Sequence, residues 1–287
     1  MSRYIVHGAN GAQGAPLLKR LIDSGHNAIA AARNTGSVNG MPSVKVDNAS
    51  VASLIAAYKD ATGVFIHLPV AAEAERLIHA QNIVEAIKQT KPGRVVISTS
   101  GWVVDDPDSP LQNPPVSAIA ELIRGVQESG VSFAVIAPRL FLENLLNPLV
   151  LGAVKSEGVL RYPIRAEYPV SWCSHLDVAE VAERLFTDTT VTGLVGVGQS
   201  PAITGEQLAQ GFERYLKRTV AFSSVTPQAF GEMIAPLFGT DAAAGVVAAY
   251  EAQANAAANA ITAGTSAQVQ LALTPRTVDQ WLAEISA

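Results

Sequence analysis

Charge is scarce in this sequence. Asp, Glu, Lys and Arg make up only 16% of 287 residues and sum to −5 at pH 7, with no basic run anywhere along the chain. This argues against nucleic-acid binding, because displacing counterions from a phosphate backbone needs Lys and Arg gathered on one face. A single cysteine, Cys173, cannot close an intrachain disulfide, and in its apolar stretch it reads as a small buried hydrophobe. Long apolar runs are missing too. Pro, His or charge interrupts even Gly63 to Ala72 and Phe133 to Leu142, short of the roughly 18–20 residues that span a bilayer. The opening residues, through Tyr4-Ile5-Val6, lack the charged and apolar regions of a secretory leader. The expected setting is the cytoplasm, with neither membrane nor nucleic acid as partner. No H-E-x-x-H occurs and the five histidines (His7, His26, His67, His79, His175) show no ligand spacing, so no metal site is expected. A G-x-S-x-G elbow is also absent, which argues against an α/β-hydrolase.

Apolar side chains, by contrast, form 48% of the chain. A large core must be buried, and the length fits one large α/β domain or a domain with a smaller appendage. Tyr4-Ile5-Val6-His7 reads as a strand that runs into Gly8-Ala9-Asn10-Gly11-Ala12-Gln13-Gly14 and then into a helical pattern, Leu17-Leu18 to Leu21-Ile22, stopped at Ser24-Gly25. Strand, glycine turn and helix in this order form a dinucleotide-binding signal. Gly8 permits the tight turn, Gly11 lets backbone N–H groups approach a pyrophosphate, and Gly14 lets the helix pack closely on the strand; Asn10, Ala12 and Gln13 complete the turn. A second buried strand, Asn27 to Ala32, ends at Arg33-Asn34, nineteen residues beyond Gly14. An NAD site would place a carboxylate there to accept from the ribose 2′-hydroxyl, whereas a guanidinium suits a 2′-phosphate, so NADP(H) is the expected cofactor. An ordinary surface arginine is the alternative.

Further strands follow at Val44-Lys45-Val46, Gly63 to Leu68, Arg94 to Ser98 and Ser132 to Ile136, with a helix from Glu73 to Gln89. This alternation predicts an α/β fold with a doubly wound parallel sheet, its ligand lying over the C-terminal strand ends. Those ends offer Asp47 and Asn48 for adenine, His67, Leu68 and Pro69 near the cofactor ribose, Thr99 and Ser100 toward the nicotinamide, and Pro138 beside it.

These segments, together with Gly25-His26, Val95-Val96-Ile97-Ser98-Thr99-Ser100, Pro138 to Asn144, His175-Leu176-Asp177-Val178-Ala179 and Ile203 to Leu208, resemble the NmrA-like branch of the atypical short-chain dehydrogenase/reductases over most of the chain. The resemblance implies a Rossmann domain, a smaller C-terminal substrate region and bound NADP(H), used for reduction or, in some members, for sensing redox state. The wider superfamily protonates its substrate through a Tyr-x-x-x-Lys pair. None of the six tyrosines here has a lysine four residues on, and the corresponding place falls near Pro115 and Ile119. The expected substrate is therefore a small molecule whose hydride adduct is already a stabilised anion, such as a quinone or another conjugated or aromatic carbonyl compound. Thr99, Ser100 and His175 are the candidate catalytic groups. For His175 the plain alternative is a structural residue ahead of an Asp177 N-cap, with Glu180 completing a capping box for a helix Val178 to Phe186. A non-catalytic NADP(H) sensor acting through a protein partner is the rival function.

The connection Gly101 to Pro114, before a helix expected near Pro115, is long for a compact domain, and Trp102 within it either walls a substrate pocket or simply packs. The division expected is a cofactor domain over residues 1–150 and a substrate region of mixed α and β structure over 151–287, with some segments interleaved. The latter contains short strands (Val159 to Tyr162, Tyr168 to Trp172, Val195 to Val197), a helix Gly205 to Lys217 capped by Thr204 and Gln207, an Ala-rich helical run from Asp241 to Ala263, and a final amphipathic helix after Pro275. The Ala-rich run leaves a homo-oligomer contact open.

Overall fold

A computed structural model describes residues 2–38 and 40–286. The chain runs β1 (Arg3–His7), α1 (Gly14–Asp23), β2 (Asn27–Ala32), β3 (Ser43–Lys45), α2 (Val51–Tyr58), β4 (Gly63–Ile66), α3 (Glu73–Thr90), β5 (Val95–Ser98), α4 (Ala118–Glu128), β6 (Phe133–Pro138), α5 (Pro148–Glu157), β7 (Val159–Tyr162), α6 (His175–Thr187), β8 (Gly193–Val197), α7 (Gly205–Leu216), β9 (Ala221–Ser224), α8 (Pro227–Phe238), α9 (Thr240–Ala254), α10 (Ala267–Leu271) and α11 (Val278–Ser286).

Seven strands form one sheet in the order β3-β2-β1-β4-β5-β6-β8, every neighbouring pair parallel. Strands sandwiched between helices must be apolar on both faces, and β4 and β5 are buried at every position. On one face Tyr4, Val6, Phe65, Val96 and Ile136 pack against Leu17 and Leu21 of α1 and Val178 and Leu185 of α6. On the other, Ile5, Val64, Ile66, Val95 and Ile97 pack against α2, α3 and α4. The order reverses between β1 and β4, the crevice where ligands bind in this class of sheet. A third core, around Trp172, Phe212, Phe230 and Trp281, unites the later helices with the two-stranded pair β7-β9. No helix among the described residues is long and apolar enough to cross a membrane.

The doubly wound sheet anticipated from the strand pattern is present, but several boundaries and placements differ. The stretch Val195 to Val197, expected in the substrate region, is β8 and pairs with β6 as the seventh strand of the main sheet. Tyr168 to Trp172 forms no strand; Val170 makes only isolated bridges to Ile203 and Asn259. Helix α4 starts at Ala118, where Ser117 accepts from the Ala120 N–H, three residues after the expected entry at Pro115. The Ala-rich helix stops at Ala254 rather than Ala263.

Helix α6 starts at His175, not Val178. Its N-cap is Ser174, whose hydroxyl accepts from the Leu176 N–H, while Asp177 sits at the third helical position and accepts from the Ser174 N–H at 2.7 Å. Asp177 is thus the reciprocal arm of the capping box and not the cap itself, and Glu180 pairs instead with Arg20 and Arg276. Helix α7 is entered through Thr204 and Gln207 as expected. Cys173 is fully buried, in accord with its reading as a small hydrophobe.

Candidate functional site

The turn after β1 is shaped by two close approaches. Gly8 has φ +59°, and the His67 ring lies so near its Cα that a Cβ there would stand 2.2 Å from Nε2. A Cβ on Gly14 would stand 2.3 Å from the Gly8 carbonyl oxygen and 2.6 Å from that of His7, so any larger residue would push α1 off the strand. The Gly11 N–H closes the turn onto the Gly8 oxygen at 2.7 Å. Gln13 precedes α1 without capping it by its side chain. Instead that side chain spans to β5, where Oε1 accepts from Ser98 Oγ at 2.6 Å and Nε2 donates to Ser100 Oγ at 2.9 Å. The glycine turn and the end of β5 are therefore one hydrogen-bonded unit, and α1 presents an N-terminus without a side-chain cap beneath it.

From this turn a cavity of about 360 Å³ extends over the ends of β1, β2 and β4. Gly8, Asn10, Arg33, Asp47, Asn48, His67 and Pro69 line it, seven of the residues singled out from the sequence. The others stand apart from its wall. Gly11 and Ala12 belong to the turn, Gln13 and Gly14 lie buried beneath it, and Leu68 packs into the core. Asn34 accepts from the Gly36 N–H and shapes the next turn. Pro138 is buried at the end of β6, aligned with Val197 of β8. Asp47 folds its carboxylate onto the Ala49 N–H at 2.9 Å, an Asx turn that sets the wall at the end of β3.

Among the lining residues that were not anticipated are two from α3. Glu75 and His79 project from one face of α3, four residues apart, with His79 Nε2 3.8 Å from Glu75 Oε1. His79 Nδ1 is buried and has no hydrogen-bond partner among the described residues. The i, i+4 spacing was visible in the sequence, but nothing local indicated that this face of α3 meets the cavity.

Burial disfavours the charged forms of His7, His67 and His175. Burial, helped by the nearby His67, pushes the His7 pKa down to about 3, and its Nε2 lies 2.8 Å from the Tyr58 hydroxyl. His67 is lowered by burial, partly offset by a backbone hydrogen bond at Leu68 and reinforced by His175. Its Nε2 is buried and unpartnered. His175 is lowered by burial against the opposing pull of Glu143.

At the end of β5, Thr99 is 1% exposed and its hydroxyl has no partner among the described residues. Ser100 (φ +57°) and Gly101 (φ +92°) then turn the chain sharply. Phe141, beyond β6, lies 3.9 Å from the place of a Gly101 Cβ and stacks on the His175 ring at 4.3 Å between centroids. Thr99, Ser100 and His175 are thus gathered at one end of the sheet, with His67 close enough to His175 for their charges to interact. Pro115 and Ile119 offer no proton donor, and Ile119 is buried in the core.

The long connection after Gly101 is pinned. Val103 bridges Gln112, and the Asn113 N–H donates to the Val103 oxygen at 2.8 Å. Asp105 takes a 2.8 Å bond from buried Arg139, which also donates to the Ala260 oxygen. Trp102 packs under the Arg76 guanidinium, 5.2 Å from its ring centroid, yet stays 46% exposed.

A parallel, doubly wound sheet with a glycine turn after its first strand defines the class of the protein: a Rossmann-type dinucleotide fold. Within that class the chain belongs to the NmrA-like family, whose family model matches residues 1–282. A (4-alkanoyl-5-oxo-2,5-dihydrofuran-3-yl)methyl phosphate reductase of Streptomyces griseus subsp. griseus is 28% identical over 227 residues, covering 77% of this chain and 76% of that protein. Among solved structures, the triphenylmethane reductase of Citrobacter sp. complexed with NADP(H) superposes with a TM-score of 0.80 at 14% identity, covering 98% of this chain and 99% of that one. The NADPH-dependent quinone oxidoreductase of Escherichia coli, complexed with NADPH, does so at 0.73 and 15% identity, covering 99% and 100%. At such identities the likeness is one of fold.

Proposed function

We propose that the protein is an NADP(H)-dependent oxidoreductase that reduces small conjugated or aromatic carbonyl compounds, quinones or enones among them. The observation that carries this reading is the single cavity joining the glycine turn to Arg33, a cation at the position where a carboxylate would select NAD. The chain fits the cofactor on its own terms. Only glycine fits at Gly14, α1 offers backbone N–H groups at its N-terminus, and unpartnered polar atoms are buried at His67 and Thr99, just past β4 and β5, and at His79 on α3.

In this reading Gly8, Gly11 and Gly14, with Asn10, Ala12 and Gln13, hold the pyrophosphate. Arg33 and Asn34 hold the 2′-phosphate, Asp47, Asn48 and His79 surround the adenine, and His67 and Pro69 line the path to the nicotinamide, with Leu68 and Pro138 packed behind it. NADP(H), when bound, supplies the hydride. Thr99 and Ser100 orient the substrate oxygen as hydroxyl donors, Ser100 being set by Gln13. Residues 1–150 hold the cofactor and the later region closes the substrate side, with β8 and α6 interleaved into the sheet. The absence of a Tyr-x-x-x-Lys pair favours acceptors whose reduced form is a weak base. The relatives support this reading: one is named for a quinone and one for an alkanoyl-substituted oxo-dihydrofuran.

A panel of quinones and enones with NADPH tests the assignment. Cofactor oxidation above background with at least one class is expected. Tight NADPH binding without turnover of any of them would overturn the enzyme reading in favour of a redox sensor.

A further inference from the structure

The reaction proposed above needs a proton at the substrate oxygen, and one carboxylate near the site is bonded through only one of its two oxygens. Glu143 lies just beyond β6. Its Oε1 accepts from Ser174 Oγ at 2.6 Å, from the His175 backbone N–H at 3.1 Å and from the Trp281 indole N–H at 3.2 Å. Its Oε2 is buried with no hydrogen-bond partner among the described residues. Leaving a buried acceptor unpaired costs about 1–3 kcal/mol, and more when it is charged, so this oxygen calls for a donor. The His175 imidazole stands beside it, with Nδ1 3.6 Å from Oε2, and is the nearest side-chain N–H recorded against that oxygen.

Other contacts set where the ring sits. Phe141 covers one side and touches the turn that ends β5. His67, packed on Gly8, lies near enough that His175 disfavours its charged form. The imidazole therefore stands among the ends of β1, β4 and β5, and no hydrogen bond among the described residues engages its Nε2. The sequence showed Glu143 and His175 thirty-two positions apart with nothing to join them; the meeting of β6 with the start of α6 does so.

We propose that Glu143 holds Nδ1–H of His175 and that His175 delivers a proton from Nε2 to the oxygen of the bound conjugated carbonyl compound. The proposal rests on the reductase reading. The reduced dinucleotide, when bound, would supply a hydride to an electrophilic carbon of the substrate, which would leave the displaced π pair on the carbonyl oxygen. That oxygen takes the Nε2 proton, and the neutral imidazole is reprotonated from water. Glu143 takes no proton in the step and acts as a positioning residue, fixing the tautomer and supporting the imidazolium as a carboxylate does in other carboxylate–imidazole pairs.

The charged groups around His175 act in opposite senses. Burial disfavours the imidazolium and Glu143 favours it; His67 faces it, its own charged form disfavoured by His175, while Asp177 is committed to the Ser174 N–H and to Arg276. The donor form is the protonated one, so turnover rises as pH falls through the titration of His175, which burial sets below the ordinary 6.5.

The test combines NADPH-dependent turnover of a quinone or enone by the full chain with a nitrogen-resolved NMR titration of its histidine side chains. In the wild type, His175 is expected as the Nδ1–H tautomer. Glu143→Gln should move its titration, and the limb of kcat against pH, about 1 pH unit lower. His175→Asn retains the backbone N–H that Glu143 accepts; it should lower kcat about 10²-fold, remove that limb, and leave NADPH affinity unchanged. A His175 titration indifferent to Glu143→Gln, or wild-type turnover by His175→Asn, overturns the pair while the reductase reading stands. No turnover with any quinone or enone fails the reductase reading itself, so the two failures are told apart.

Discussion

Arg33 sits exposed at the end of β2, on the rim of the cavity that begins at the glycine turn. Charge-assisted bonds to a phosphate are worth about 1.5–3 kcal/mol, so Arg33→Ala is expected to weaken NADPH roughly 10–100-fold and NADH far less. Equal losses for the two, measured by fluorescence titration, would remove the case for a 2′-phosphate. Gly14→Ala should abolish binding of both, because its methyl would meet two carbonyl oxygens of the preceding turn. His7 gives a pH dependence with a definite sign. Its folded pKa of about 3 lies below the unfolded value near 6.5, so the unfolded chain binds the extra proton and stability is lost as pH falls from 6.5 toward 3. Urea midpoints should fall across that window, and His7→Gln should flatten this part of the slope.

Helix α6 depends on its first turn, where Ser174 caps the backbone and also donates to Glu143. Ser174→Ala should cost about 1 kcal/mol through the lost cap, read as a lower urea midpoint. The connection after β5 is tied down by Arg139 and Asp105, whose side chains are almost wholly buried. Asp105→Ala leaves a buried guanidinium without its counter-charge and is expected to cost about 3 kcal/mol. It should also open residues 101–114 to limited proteolysis. An equally resistant loop in that variant would show that the Val103–Gln112 bridge holds the connection alone.

For the molecule as a whole, cofactor binding and folding are linked. NADPH at about 100 times its Kd should stabilise the native state by about 2.7 kcal/mol. For a chain of this size that corresponds to a rise in Tm of several degrees, at roughly 2–4 °C per kcal/mol. NADH at the same concentration should give a smaller rise, and no shift with NADPH in a thermal melt would overturn the cofactor assignment.

Local patterns carried much of this architecture. Tyr4 to His7, Asn27 to Ala32 and Val95 to Ser98 are short apolar runs bounded by turn residues. A buried parallel strand must look like that, because helices cover both its faces. The glycine spacing was equally legible, since a tight turn and a close helix each demand glycine at a fixed offset, as was the Thr204–Gln207 box, whose two bonds span only three residues. Patterns that overlap were not decidable locally. Asp177-x-x-Glu180 reads as a capping box, yet the box that forms is Ser174 with Asp177 as its reciprocal arm, while Glu180 pairs with Arg20 and Arg276. The seventh strand could not be placed at all from its own residues, because Gly193 to Val197 joins β6 across more than fifty intervening positions. The same holds for His79 on the cavity wall and for Glu143 beside His175. Periodicity and turn chemistry act over a few residues and are written in order along the chain. Which side chains meet over the strand ends depends on packing between distant segments, and it is settled only when the sheet closes.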